Sequence, residues 1–184
     1  MSPLPRGANV SLSRENPGLD EIDVLIEWGT VDPAFDSVLS MAAILAGPDG
    51  KAASAEDLVY FNQLQGPDDA AGWAPVQNGE RVRVKLSAVP EGIERIHLAL
   101  YIDAVPSSVP RTLRQLPQCV VTVAHALTTR SIVSTENLVG GFGTETASVV
   151  AELYRRRGEW KFRVVAQGYA AGLRGLLEDL GVPR

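Results

Sequence analysis

An all-β fold, mainly an antiparallel two-sheet β-sandwich with a C-terminal α-helix, is what this sequence predicts. Three observations carry that expectation. Apolar and polar side chains alternate with a two-residue period from end to end, glycine- and proline-rich turns punctuate the alternation, and a helical period stands out only near the C-terminus. The regular strand–helix alternation of an α/β layer fold is absent.

The elements follow in chain order. Ile22, Val24, Ile26 and Trp28 share one face of a strand whose other face carries Asp23 and Glu27. Residues 38–46 (VLSMAAILA) and 58–61 (LVYF) are more uniformly apolar, as strands central to a two-layer packing are. Val82, Val84 and Leu86 alternate with Arg81, Arg83 and Lys85, and Ile96, Leu98, Leu100 and Ile102 alternate with His97, Ala99 and Tyr101. Residues 118–125 add a further β-rich run. Around Thr146 two periods compete, because Val149, Val150, Leu153 and Tyr154 would line a helix while Ala147, Val149, Ala151 and Leu153 also alternate. The strand is preferred: Trp160 to Val164 alternates strictly, and Arg156-Arg157-Gly158-Glu159 makes a compact turn, so one hairpin explains both halves. Ala170, Leu173, Leu176, Leu177 and Leu180 recur at helical spacing until Gly181 and Pro183 stop the helix, which is expected to cap an open edge or end of the sheets. The expected total is roughly eight to ten short strands in a single domain over residues 1–184, with loops at 47–50, 66–69 and 106–110.

Composition narrows the function. With 17 Lys+Arg against 22 Asp+Glu the formal charge is −5, which disfavours nucleic acid or an anionic membrane as a general partner. The single cysteine, Cys119, rules out a disulfide framework and multi-cysteine zinc sites, and is expected to be a buried small hydrophobe. The N-terminal residues lack an apolar leader and no long apolar run follows, so the expectation is a cytoplasmic chain without a transmembrane segment. Nucleophile-elbow, phosphate-loop, zinc-protease and dinucleotide motifs are all missing; Gly140-Gly-Phe-Gly143 does not open a helix after a strand. His97 and His125 have no Asp, Glu or His at ligand spacing and are expected on the surface or half-buried on strands.

Two groups of residues could bind something. Arg155, Arg156 and Arg157, with Lys161 and Arg163 behind them, fit a solvated hairpin tip best and a contact for an acidic partner or an anion second, with Trp160 and Phe162 turned to the core. Oxygen-bearing side chains collect around strand ends: Asp32, Asp36 and Ser37, then Asn62, then Asp68 and Asp69, then Asn78 and Glu80. Calcium takes six to eight oxygens, and such residues converging would supply some of them; polar turn residues read the same way, and no Asp-x-Asp-x-Asp-Gly loop is present.

A series of segments in fixed order is more specific. Arg6-Gly-Ala-Asn-Val-Ser-Leu12, residues 22–28, 32–37, Val59-Tyr-Phe-Asn62, residues 84–90, Tyr101-Ile-Asp-Ala104, and above all 144–155, 158–163 and 167–170 make the chain resemble the TerD family over nearly its whole length. The resemblance implies a β-sandwich of bacterial tellurium-resistance and general stress-response systems, cytoplasmic, calcium-binding in typical members, not known as an enzyme, and working with other stress-system proteins. Departures lie at the metal. Ala34-Phe35-Asp36 stands where typical members carry Asp-Leu-Asp, and residues 65–80 form a shorter loop with Trp73-Ala-Pro-Val in place of Gly-Asp-Asn. Within the candidate metal set Asp36, Asn62, Asp68, Asp69 and Glu80, the first two match family ligand positions and the others are neighbouring oxygens. Calcium affinity falls with fewer carboxylates, so calcium binding is expected to be weak or absent. Trp73 is then either an exposed anchor for a partner or a buried plug in the space of the ion. The expected function is a non-enzymatic binding or scaffold module with protein partners or self-association through strand edges. The alternative is a calcium-dependent module for an anionic small molecule or oxyanion. A hydrolase built on scattered Ser, His and Asp lacks a nucleophile motif.

Overall fold

The computed structural model describes residues 1–29, 31–103 and 109–183. Its described strands form two antiparallel sheets. In chain order they are β1 (Asn9–Ser11), β2 (Glu21–Glu27), β3 (Leu39–Ala46), β4 (Leu58–Val59), β5 (Ala71–Val76), β6 (Gly79–Lys85), β7 (Arg95–Ile102), β8 (Val120–His125), β9 (Ser131–Ser134), β10 (Ala147–Arg156) and β11 (Glu159–Tyr169). The helices are two single turns, α1 (Leu12–Glu15) and α2 (Pro33–Asp36), and α3 (Gly172–Asp179). One sheet has the order β1-β11-β10-β7-β3-β4 and the other β5-β6-β2-β8-β9.

The expected β-sandwich with a C-terminal helix is therefore present, and its core follows from the alternation. Ile22, Val24, Ile26, Val82, Val84, Val121 and Val123 face Met41, Ala43, Leu45, Ile96, Leu98, Leu100, Leu153 and Phe162 across the two sheets. On the opposite face of β2 and β6, Asp23 accepts from Arg81 at 3.0 Å and from Arg83 at 2.8 and 2.9 Å. Burial pushes this carboxyl up, but the two guanidinium partners outweigh it and hold Asp23 below the ordinary carboxylate value. The β10–β11 hairpin turns as expected, with φ of 51° at Arg157 and 76° at Gly158, the left-handed pair that a two-residue hairpin turn demands.

Three expectations are corrected. The strands number eleven among the described residues, because the 65–80 segment, read as a loop carrying Trp73, contains the strand β5. Leu58 to Phe61 shortens to the two residues of β4, after which the chain turns between Tyr60 and Gln63. Most important, α3 does not cap an edge or end. It lies on the outer face of the six-stranded sheet, where Leu176 and Leu180 pack on Ala42, Ile44, Ala99, Tyr101, Ala147 and Val149. Small residues at Ala42, Ala99 and Ala147 let the helix sit close, and β3 is consequently buried at every position. That second covering layer is why residues 39–46 lack alternation. The expected loop at 106–110 falls mostly outside the described residues.

Between Val149 and Ala151 the register shifts against both neighbours: β10 carries one extra residue against β7, and β11 carries one extra against β10. Opposite it, Ala166 takes a left-handed backbone with φ of 56°. The extra residue changes which face later side chains occupy: Ala147 and Val149 point to α3, Val150, Ala151 and Leu153 to the inter-sheet core. Glu152 is thereby turned to the outer face.

Leu176, fully buried, tests the helix layer. Leu176→Ala is expected to cost about 2–5 kcal/mol in chemical denaturation; a loss below about 1 kcal/mol would mean that α3 is not part of the cooperative fold.

Candidate functional site

At one end of the sandwich, β3, β5, β6, β7 and the α2 turn bring together Asp36, Ser40, Trp73, Glu80 and Tyr101. The geometry starts from an unpaired backbone group. β4 pairs only Ala43 and Ile44 of β3, so the Met41 N–H, buried further along that edge, has no strand partner there. Glu80, on β6 of the opposite sheet, supplies the acceptor: its Oε2 takes Met41 N–H at 2.6 Å, Trp73 Nε1–H at 2.8 Å and Ser40 Oγ–H at 3.0 Å. Gly79 makes the approach possible, since a Cβ there would meet Ile26 O at 2.2 Å. Closer to the surface, Asp36 Oδ1 accepts Trp28 Nε1–H at 2.9 Å. Asp32 caps α2 through Phe35 N–H and pairs with Arg111 at 3.0 Å.

Glu80 is only 9% exposed. Burial raises its carboxyl above the ordinary value and the charge of Asp36 adds to this, while the three donors pull it partly back. Tyr101, 1% exposed, is likewise pushed upward, first by burial and then by the charges of Glu80 and Asp103.

The other candidate metal residues do not join this cluster as a ligand set. Asn62 is exposed in the Tyr60–Gln63 turn, and Asp68 and Asp69 are exposed in a single turn after Gly66, both with left-handed backbone. Asp69 lines a groove with Arg81, Arg83 and Lys85. Among the described residues no three His, Cys, Asp or Glu side chains gather closely enough to hold a metal ion. Donor chemistry points the same way: Glu80 Oε2 takes an indole, a hydroxyl and an amide donor and Asp36 Oδ1 takes an indole N–H, positive dipole ends that compete with a cation at those atoms. As they stand, these residues do not suit calcium, which needs six to eight oxygens.

Trp73 is half-buried on β5 and packed against the core, with its polar edge spent on Glu80, rather than displayed on a loop. Arg156 and Arg157 are exposed at the hairpin tip, but Arg155 folds back onto the Trp160 ring and the Val89 carbonyl. Cys119 is buried as expected, and desolvation pushes its thiol up to about 12. His125 accepts Leu127 N–H in the β8–β9 turn. His97, expected on the surface or half-buried, is 7% exposed and stands 3.4 Å from Glu152, an acid remote from it in sequence. Trp28, Ser40 and Tyr101 were not singled out as site residues by the sequence, where Trp28 reads as a core-facing strand residue and Ser40 and Tyr101 as members of apolar strands.

A model of the TerD domain matches residues 1–180. The chain belongs to the TerD family. Curated TerD-family relatives cover it almost end to end: general stress protein 16U of Bacillus subtilis (strain 168) is 33% identical over 97% of this chain and 96% of its own length. The tellurium resistance protein TerD of Serratia marcescens is 30% identical over the same shares. Among solved structures, a homologue of the telluride resistance protein TerD from Streptomyces coelicolor A3(2) superposes with a TM-score of 0.65 at 20% identity, over 90% of this chain and 100% of that one, a likeness of fold. No helix among the described residues is long and apolar enough to cross a membrane.

Trp73→Phe keeps an aromatic ring, smaller than the indole, and removes the donor, and is expected to cost about 1–3 kcal/mol by leaving a buried carboxylate short of a partner. Glu80 also gives a pH signature. Its folded value lies above 4.5, so in that window the native state binds more protons than the unfolded chain and stability falls as pH rises. Glu80→Gln should abolish that part of the pH dependence in denaturation series run from pH 4.5 upward; an unchanged slope would contradict the assignment.

Proposed function

We propose that this TerD-family chain is a non-enzymatic, cytoplasmic binding or scaffold module of a stress-response system, in which internal hydrogen bonds take over what an ion does in typical members of the family. The observation that carries the reading is the Glu80 carboxylate, whose Oε2 is already occupied by Trp73, Ser40 and the Met41 backbone. The sheet ends are thus joined without a cation, and calcium binding is weakened or lost. The names of the relatives, a general stress protein and a tellurium resistance protein, support the physiological setting. A buried Cys119 with its thiol held far above neutral pH, and histidines engaged in structural contacts, support a role in association rather than turnover. Partner proteins or further copies of the chain fit the open strand edges at β1, β4, β5 and β9.

Thermal melts with millimolar calcium and with chelator test this directly. A site of micromolar affinity would add about 4 kcal/mol at a thousandfold excess of ion, a shift of roughly 8–16 °C for a chain of this size. The expected shift is under about 1 °C; a rise of several degrees that Asp36→Ala removes would overturn the reading.

A further inference from the structure

The outer face of the six-stranded sheet carries a polar cluster separate from the Glu80 site. Because of the β10 bulge, Glu152 faces outward, directly across from His97 on β7 and Arg163 on β11. A charged row thus crosses the sheet beside the C-terminal end of α3, where an apolar surface continues under the helix. Glu152 has a side chain only 4% exposed, and its Oε1 accepts from Arg163 at 2.9 Å and from Arg95 at 3.2 Å. His97 sits between Gly50 O at 3.0 Å and Glu152 Oε2 at 3.4 Å. These groups line a pocket of about 310 Å³ walled by Asp49, Gly50, Lys51, Gln167, Tyr169, and Asp179.

The charges in this pocket are layered. On the floor, two guanidinium groups meet one carboxylate, and burial keeps His97 below the ordinary imidazole value against the pull of Glu152, so the arginines supply the positive charge. Each arginine gives one N–H to Glu152 and, being 37% and 41% exposed, keeps others in reach of the pocket. The Arg163 Nε–H is buried and makes no hydrogen bond among the described residues, so the exposed terminal N–H groups are the ones that face the pocket. At the rim Asp179 takes the Tyr169 hydroxyl at 2.8 Å and lies 3.7 Å from the Lys51 ammonium, and Asp49 accepts the Lys51 N–H. Two acids at the rim are offset by Lys51 alone, so floor and rim together are neutral and admit a singly charged guest without net repulsion.

We propose that this pocket is a binding site for a small monoanionic oxyanion, a carboxylate above all, held by the free N–H groups of Arg95 and Arg163. Guanidinium forks match planar carboxylates in geometry, and a concave floor with excess donors in reduced dielectric strengthens each bond. Glu152 acts as the internal competitor that keeps the two arginines in place while the pocket is empty.

Acetate titrated into ¹⁵N-labelled protein at constant ionic strength, with chloride as the balancing salt, tests the proposal through the arginine Nε–H and His97 ring resonances. The expected result is saturable movement at Arg95, Arg163 and His97, at least tenfold weaker in Arg163→Gln, and unaltered in the distant Arg156→Gln/Arg157→Gln pair. Glu152→Gln, which removes the competing charge, should bind acetate more tightly. Movements that stay linear in acetate, or that persist undiminished in Arg163→Gln, would overturn the site, as would weaker binding in Glu152→Gln. Should Arg163→Gln fail to fold, Arg95→Gln carries the same expectation, and undiminished binding in that variant overturns it.

Discussion

A single buried carboxylate has to satisfy the edge of one sheet from the face of the other, and much of the molecule is arranged around that need. Where β4 ends after two residues, the Met41 N–H of β3 is left without a strand partner inside the protein. A buried amide donor left unmade costs about as much as a lost hydrogen bond, so something must reach it. Glu80 does so from β6, and burying its charge in turn requires further donors, which Ser40 and Trp73 provide. The close β2–β6 approach at Gly79 and the β5 strand that carries Trp73 are the backbone conditions for this contact. Asp36 and Trp28 repeat the same carboxylate–indole pairing nearer the surface.

The two faces of the six-stranded sheet have different tasks. Its inner face closes the sandwich with branched and aromatic side chains; its outer face is divided between an apolar area under α3 and the charged row beyond the helix end. One inserted residue makes that division. Without the bulge, Glu152 would share a face with Val150 and enter the inter-sheet core, where a carboxylate could not keep two exposed arginines as partners. Ala166 in a left-handed conformation is the local cost of the insertion.

Most of the strands were legible because a half-buried strand writes its two faces directly into the sequence: Ile22 to Trp28, Gly79 to Lys85 and the β10–β11 hairpin are all where alternation put them. The covering helix was legible as a helix through Leu173, Leu176, Leu177 and Leu180, but its seat on the outer face was not read, although the uniformly apolar run 39–46 is what burial on both faces produces. At the site, Trp73 could be read from the chain as a departure, Asp36 as a matched ligand position and Glu80 as a neighbouring oxygen. The hydrogen bonds joining them could not, because Glu80 and Met41 lie 39 positions apart and on different sheets. His97 and Glu152 escaped for the same reason, with a bulge in between that alternation alone does not reveal.

The central claim is that indole and backbone N–H groups hold the carboxylates that an ion would otherwise hold. The chain has three tryptophans, so its indole N–H resonances are few enough to follow singly. A ¹H–¹⁵N spectrum recorded through a calcium titration should show the Trp73 and Trp28 indole signals at hydrogen-bonded positions, protected from exchange and unmoved to millimolar ion. Loss of protection or movement of either signal with calcium, while Trp160 stays still, would show that the cation displaces the donors and would contradict the account.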